Sequence, residues 1–156
     1  MQIRLEKDAL NVKDKSALIK FSQKTEVNDI LLEGEGEYEI GGVIVTGIDK
    51  NSYIFDIDDI SLGYMDFNEK VDPEMVEKLS NVEALIVCLD GELDKVLDAI
   101  SQIEPRVAIF VGDQKAEEKL SHSSTKFEKT ESLKLAKSDL TDEETKNYFF
   151  QVNARE

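Results

Sequence analysis

The run Leu85-Ile86-Val87-Cys88-Leu89 and the run Val107-Ala108-Ile109-Phe110-Val111 bracket a segment in which Leu93, Val96, Leu97, Ile100 and Ile103 recur at helical spacing. Both runs are apolar at every position, as expected of strands covered on both faces. The segment between them predicts an amphipathic helix that stops before Pro105, because proline restricts the residue ahead of it. Strand, helix, strand in this order implies a βαβ unit with parallel strands and a right-handed crossover. Residues 114–120 extend the pattern with a short further helix. Upstream, Asp72 reads as an N-cap and Pro73 as the first helical position of a helix running to Leu79.

The chain before this unit has a different character. Residues 2–6, 9–12, 17–21 and 30–33 read as short strands with turn signals at Lys7-Asp8 and Lys13-Asp14-Lys15. A glycine-rich stretch, Gly34-Glu35-Gly36-Glu37-Tyr38-Glu39-Ile40-Gly41-Gly42, precedes the β-branched run Val43-Ile44-Val45-Thr46-Gly47-Ile48. Its glycines predict positive backbone angles or close packing. Its acidic residues would repel a phosphate rather than cradle one. Residues 53–57 and 60–65 flank Asp58-Asp59 and predict a tight hairpin. Beyond Ser121 the chain is polar, with residues 121–124 and 138–145 reading as loops. It still carries Leu133, Leu135, Tyr148, Phe149, Phe150 and Val152, which predict one or two edge strands. A single αβ domain over residues 1–156 accounts for the whole pattern.

Hydrophobic residues make up 40% and charged residues 34% of the 156, a soluble globular composition. No apolar run reaches the roughly 20 residues that cross a bilayer, and Met1-Gln2-Ile3-Arg4-Leu5-Glu6 is charged too early for a secretory signal. These features predict a cytoplasmic protein. Cys88, the only cysteine, sits in an apolar run and reads as a small buried hydrophobe. The formal net charge of -15 argues against nucleic acid and anionic membrane as partners, since both demand basic patches.

The stretch 34–43 with Thr46-Gly47-Ile48, the hairpin 52–66, the strand 82–91, the segment 99–111 and the tail 133–140 follow one another in an order that resembles metallo-β-lactamase-fold proteins of the ascorbate-phosphate lactonase-like branch. The resemblance covers most of the chain from Ile30 to Leu140. It implies an αββα sandwich, two mixed sheets face to face with helices outside. It also implies a zinc or manganese centre at one edge, where histidines and aspartates hold metal that lowers the pKa of a bound water.

The chain departs from that family at its ligand histidines. The family's HxHxDH loop has no counterpart between Phe21 and Ile30. Tyr64 stands where the hairpin motif carries histidine, and Gly112 stands at the histidine of the later strand. Asp66 matches the bridging aspartate, with Asp90 and Asp113 at neighbouring strand ends. His122 is the only histidine and lies in a polar loop. Oxygen ligands alone favour harder cations and activate water less. The expected function is therefore non-catalytic, with no resident metal: a binding or self-assembly module. Deletion of a covering segment should expose an apolar sheet face or an open strand edge, and a homodimer is the economical way to bury it. Two other readings stay open. One is a hydrolase, of phosphodiesterase or lactonase type, with a carboxylate metal site. The other is a small-ligand binder that uses the vestigial cleft near Tyr64, Asp66, Gly112 and Asp113.

Overall fold

The structure is a computed structural model that describes residues 1–22, 24–49, 52–66, 73–89, 93–140 and 144–153. Asp72 and Asp90, singled out above, lie outside the described residues. The strands in chain order are β1 (Gln2–Glu6), β2 (Ala9–Lys13), β3 (Leu18–Phe21), β4 (Thr25–Val27), β5 (Ile30–Leu31), β6 (Gly36–Ile40), β7 (Val43–Gly47), β8 (Tyr53–Ile57) and β9 (Ile60–Asp66). Helix α1 (Pro73–Leu79), β10 (Ala84–Cys88), α2 (Leu93–Ile103), β11 (Val107–Gly112) and α3 (Gln114–Ser121) follow. The tail adds β12 (Glu128–Lys129), β13 (Ser132–Lys134), a 3-10 turn at Lys137–Asp139, and β14 (Lys146–Gln151).

Two sheets result. The first has the order β13-β1-β2-β3-β4-β5, and all its pairings are antiparallel. The second has the order β12-β14-β11-β10-β9-β8-β7-β6. Its strands from β9 through β12 are parallel, and those from β9 back to β6 are antiparallel. Tight reversals drive the antiparallel halves. Lys7-Asp8, Asn28-Asp29, Gly41-Gly42 and Asp58-Asp59 each place two successive residues at φ between 49° and 80°. Two-residue turns of that kind match the twist of the strands they join. The parallel half needs long connections, and α2 and α3 supply two of them.

The sheets face each other across one core. Ile3, Leu10, Val12, Ile19 and Val27 from the first meet Val45, Phe55, Leu62, Ile86 and Ile109 from the second. Phe21 pins them together: its ring lies 4.4 Å from that of Tyr64 in a stacked arrangement and 5.5 Å from Phe55 edge-on. Such pairs add about 0.5–1.5 kcal/mol beyond their buried area. A second core lies under the helices, where Met75, Leu79, Val96, Ile103 and Leu120 pack on Leu85, Val87, Ala108, Phe110 and Phe149.

Four features differ from expectation. The helices cover the second sheet only, so the described residues form a sheet, sheet, helix stack instead of the αββα layering. The connections between β1 and β5 are too short to hold a helix. The first sheet is also purely antiparallel rather than mixed, because hairpins build it. Its open face is largely polar: register places Arg4, Asn11, Lys20 and Glu26 in one row, which ends at the exposed Leu31, and Lys134, Gln2 and Lys13 in the next, which ends at the exposed Leu18. Lastly, the tail supplies an edge strand to each sheet, β13 with Leu133 and β12, as expected, but β14 is no edge strand. It lies between β11 and β12 with Phe149 and Phe150 fully buried, one facing each core. Cys88 is buried as expected, and among the described residues no helix is long and apolar enough to cross a membrane.

Candidate functional site

The parallel strands β9, β10 and β11 end side by side, and the residues named from the sequence gather at those ends. Register sets Asp66 opposite Cys88, and Cys88 opposite Val111. Side chains alternate along a strand, so Tyr64 and Asp66 share the face that looks toward the first sheet. The Tyr64 hydroxyl and the Cys88 sulfur are 3.4 Å apart. A cavity of about 30 Å³ opens here, lined by Cys88, Leu89, Val111, Gly112, Asp113 and the tail residues Val152 and Asn153. That space suits a water or two. It is roughly a tenth of what a small-molecule pocket usually needs.

Tyr64, Asp113 and Gly112 each have structural work at this place. Tyr64 is 2% exposed and stacks beneath Phe21, so an aromatic ring fills the side on which a ligand would have to sit. Asp113 is the N-cap of α3, its Oδ1 accepting from the Ala116 N–H at 2.9 Å. Capping satisfies a donor that the helix leaves open, and it directs one carboxylate oxygen into the helix. Gly112 is a close-packing position. A Cβ there would come within 2.8 Å of the Ala116 Cβ and 3.3 Å of the Leu89 Cβ. Its carbonyl accepts from Val152 N–H at 2.9 Å, tying the tail over the strand ends. Asp66, 8% exposed, is the buried carboxylate of the group.

The donor set does not fit a zinc or manganese centre. The lone imidazole is at the wrong end of α3: His122 is the exposed C-cap, and nine residues of helix separate it from Asp113 by about 13 Å. It borders a shallow groove with Gln114, Glu117 and Lys129. Among the described residues no group of three or more His, Cys, Asp or Glu side chains is arranged to hold a metal ion. Phe21, Cys88 and the tail pair Val152 and Asn153 were not singled out from sequence as site residues. For Cys88 a signal was present, since Asp66 and Cys88 each close an apolar strand of the same parallel set.

Tyr53 shows how the glycine-rich stretch is held. Its hydroxyl accepts from Gly34 N–H at 3.0 Å. Burial pushes its pKa above the usual tyrosine value, the Gly34 hydrogen bond opposes that shift, and nearby Tyr38 and Asp49 add to it. Tyr38 and Ile40 of β6 turn toward the inter-sheet core, whereas Glu37 and Glu39 are exposed. This segment is architecture, as its glycines suggested.

Comparison with family models, with curated proteins and with solved structures finds no match to this chain in any of the three.

Proposed function

We propose that the chain is a shortened metallo-β-lactamase-like sandwich that no longer carries out metal-dependent hydrolysis and serves as a binding or assembly module. The observation that carries this reading is the Phe21 ring stacked 4.4 Å from Tyr64, at the position where the resembled family presents a ligand histidine. Phe21 is the last residue of β3, immediately before the point where the family's ligand loop would enter. Loss of the loop and closure of the space by an aromatic ring belong together. The cap role of Asp113 and the remote position of His122 support the same reading.

Assembly with a second copy is part of the proposal. The β5 side of the sandwich offers Ile30, 52% exposed, with Leu31 and Leu18 also exposed, and a two-residue strand that ends its sheet. Exposed apolar side chains beside an open strand edge favour a partner.

Elemental analysis of protein purified without chelators or added metal tests the first half. Less than about a tenth of an equivalent of any transition metal is expected, and near-stoichiometric zinc, manganese or iron would overturn it. Light scattering across concentration tests the second half. A dimer mass is expected, and a monomer at the highest concentration would remove self-assembly from the proposal.

A further inference from the structure

A groove of about 740 Å³ lies far from the strand ends described above, where β1, β2 and β13 meet the turn after β2 and the β8–β9 hairpin. Three lysines border it: Lys13, Lys15 and Lys134. Register aligns Lys134, Gln2 and Lys13 across three neighbouring strands, so the two outer Cα atoms stand about 10 Å apart with the glutamine amide between them. All three lysines are exposed.

The groove also contains three aspartates, and each has one carboxylate oxygen held by a neighbouring backbone or terminal N–H group. Asp14 Oδ1 accepts from Ser16 N–H at 2.9 Å and Ala17 N–H at 2.7 Å, closing its own turn. Asp58 Oδ2 meets the Met1 ammonium at 3.2 Å. Asp139 Oδ2 accepts from Ala136 N–H at 2.9 Å. Outside the groove Lys137 pairs with Glu83, Lys129 with Glu117 and Lys78 with Glu74, while Lys20, Lys115 and Lys119 are exposed without an ion pair among the described residues. Lys13, Lys15 and Lys134 form no ion pair among the described residues. With the Met1 ammonium, four cations and three carboxylates surround this concavity, and the excess of one positive charge reverses the sign that prevails in a chain of net charge -15.

We infer that this groove binds a small oligophosphate-bearing anion. Lysine ammoniums on flexible stems act as point charges suited to phosphate oxygens, and no arginine fork is present to prefer a planar carboxylate. The Gln2 amide adds a donor at the centre. A small anion stays within the groove, while a long polyanion would run onto the acidic surface beyond it. The inference is independent of the assembly role proposed above.

The test is calorimetric titration of the tag-free full chain with tripolyphosphate at low salt, beside inorganic phosphate and a single-stranded oligonucleotide. Saturable binding of tripolyphosphate, tighter than of inorganic phosphate, is expected. The double variant Lys13→Gln with Lys134→Gln should weaken it about tenfold, at a few-fold per exposed charge pair. Lys115→Gln with Lys119→Gln, an equal two-charge change on α3, should alter it less than about twofold. Circular dichroism checks that the variants fold. No saturable binding, equal weakening by the α3 double variant, or tighter binding of the oligonucleotide through the same lysines would each overturn the inference.

Discussion

Replacing Gly112 with alanine separates a packed strand end from an open cleft. The new Cβ would stand 2.8 Å from the Ala116 Cβ, against about 3.5–4.0 Å for carbon atoms in comfortable contact. The first turn of α3 must therefore retreat by about 1 Å. Ala116 also supplies the N–H that Asp113 caps at 2.9 Å, so the retreat stretches the cap. Overpacking of this kind costs about 1–3 kcal/mol. The alanine recovers about 0.4–1 kcal/mol by restricting the unfolded chain, since Gly112 is not among the positive-φ glycines. The net expectation is a loss of about 1–2 kcal/mol, or a melting temperature lower by about 2–8 °C for a chain of this size. Urea unfolding of the wild type, Gly112→Ala, Ala116→Gly and the double variant measures it. Ala116→Gly costs up to about 1 kcal/mol alone. The double variant should be more stable than the sum of the singles predicts by about 1 kcal/mol, because the contact is relieved. An unchanged or higher midpoint for Gly112→Ala would refute the packing account and return the cleft to consideration as a ligand site.

Two other outcomes follow from the geometry. Because the folded-state pKa of Tyr53 is raised, the unfolded chain releases this proton first; its contribution to stability is full below about pH 10 and falls as pH climbs above it. Urea midpoints between pH 8 and 11 should therefore decline more steeply for wild type than for Tyr53→Phe, and parallel declines would contradict the assignment. On β6, Glu37 and Glu39 point outward from a strand that ends its sheet, and antiparallel self-pairing there would oppose like charges. Glu37→Thr with Glu39→Thr should raise the average mass in sedimentation at high concentration, whereas an unchanged mass would show that the charges do not guard this edge.

The βαβ core was legible because its signals are local and redundant. An apolar run, a 3.6-residue period and a proline stop fix β10, α2 and β11 within a residue or so. The turns at Lys7-Asp8 and Asp58-Asp59 were legible for a similar reason: a polar pair containing aspartate between apolar runs marks a reversal, because aspartate tolerates positive φ. β14 was misplaced as an edge because periodicity reports what a strand buries, not which strands flank it. Its neighbour β11 lies 39 residues upstream in register, with Val107 opposite Lys146 on the parallel ladder at its start and Gly112 opposite Gln151 at its end. Tyr-Phe-Phe at 148–150 holds the clue, since consecutive aromatics bury both faces of a strand, and an edge strand with both faces covered is uncommon. β4 was missed because Thr25-Glu26-Val27 carries one apolar residue, too short a signal to separate from a loop.

The one-sided helix layer and the closed strand ends follow from the same economy of chain. A sheet built by hairpins with connections of two to four residues has no crossover segments to lay on its outer face, so that face must be largely polar to remain in water. The observed rows of Arg4, Asn11, Lys20 and Glu26, and of Lys134, Gln2 and Lys13, satisfy that demand. The same short connections bring β3 to its end at Phe21 without a loop to carry metal ligands, and the freed volume goes to a ring stacked on Tyr64. Solvation alone would be met by either sign of charge, and in a chain richer in acids than bases acids would be the default. The lysines that surround the groove on this face therefore ask for a cause beyond solubility, and an anionic ligand provides one that a titration can measure.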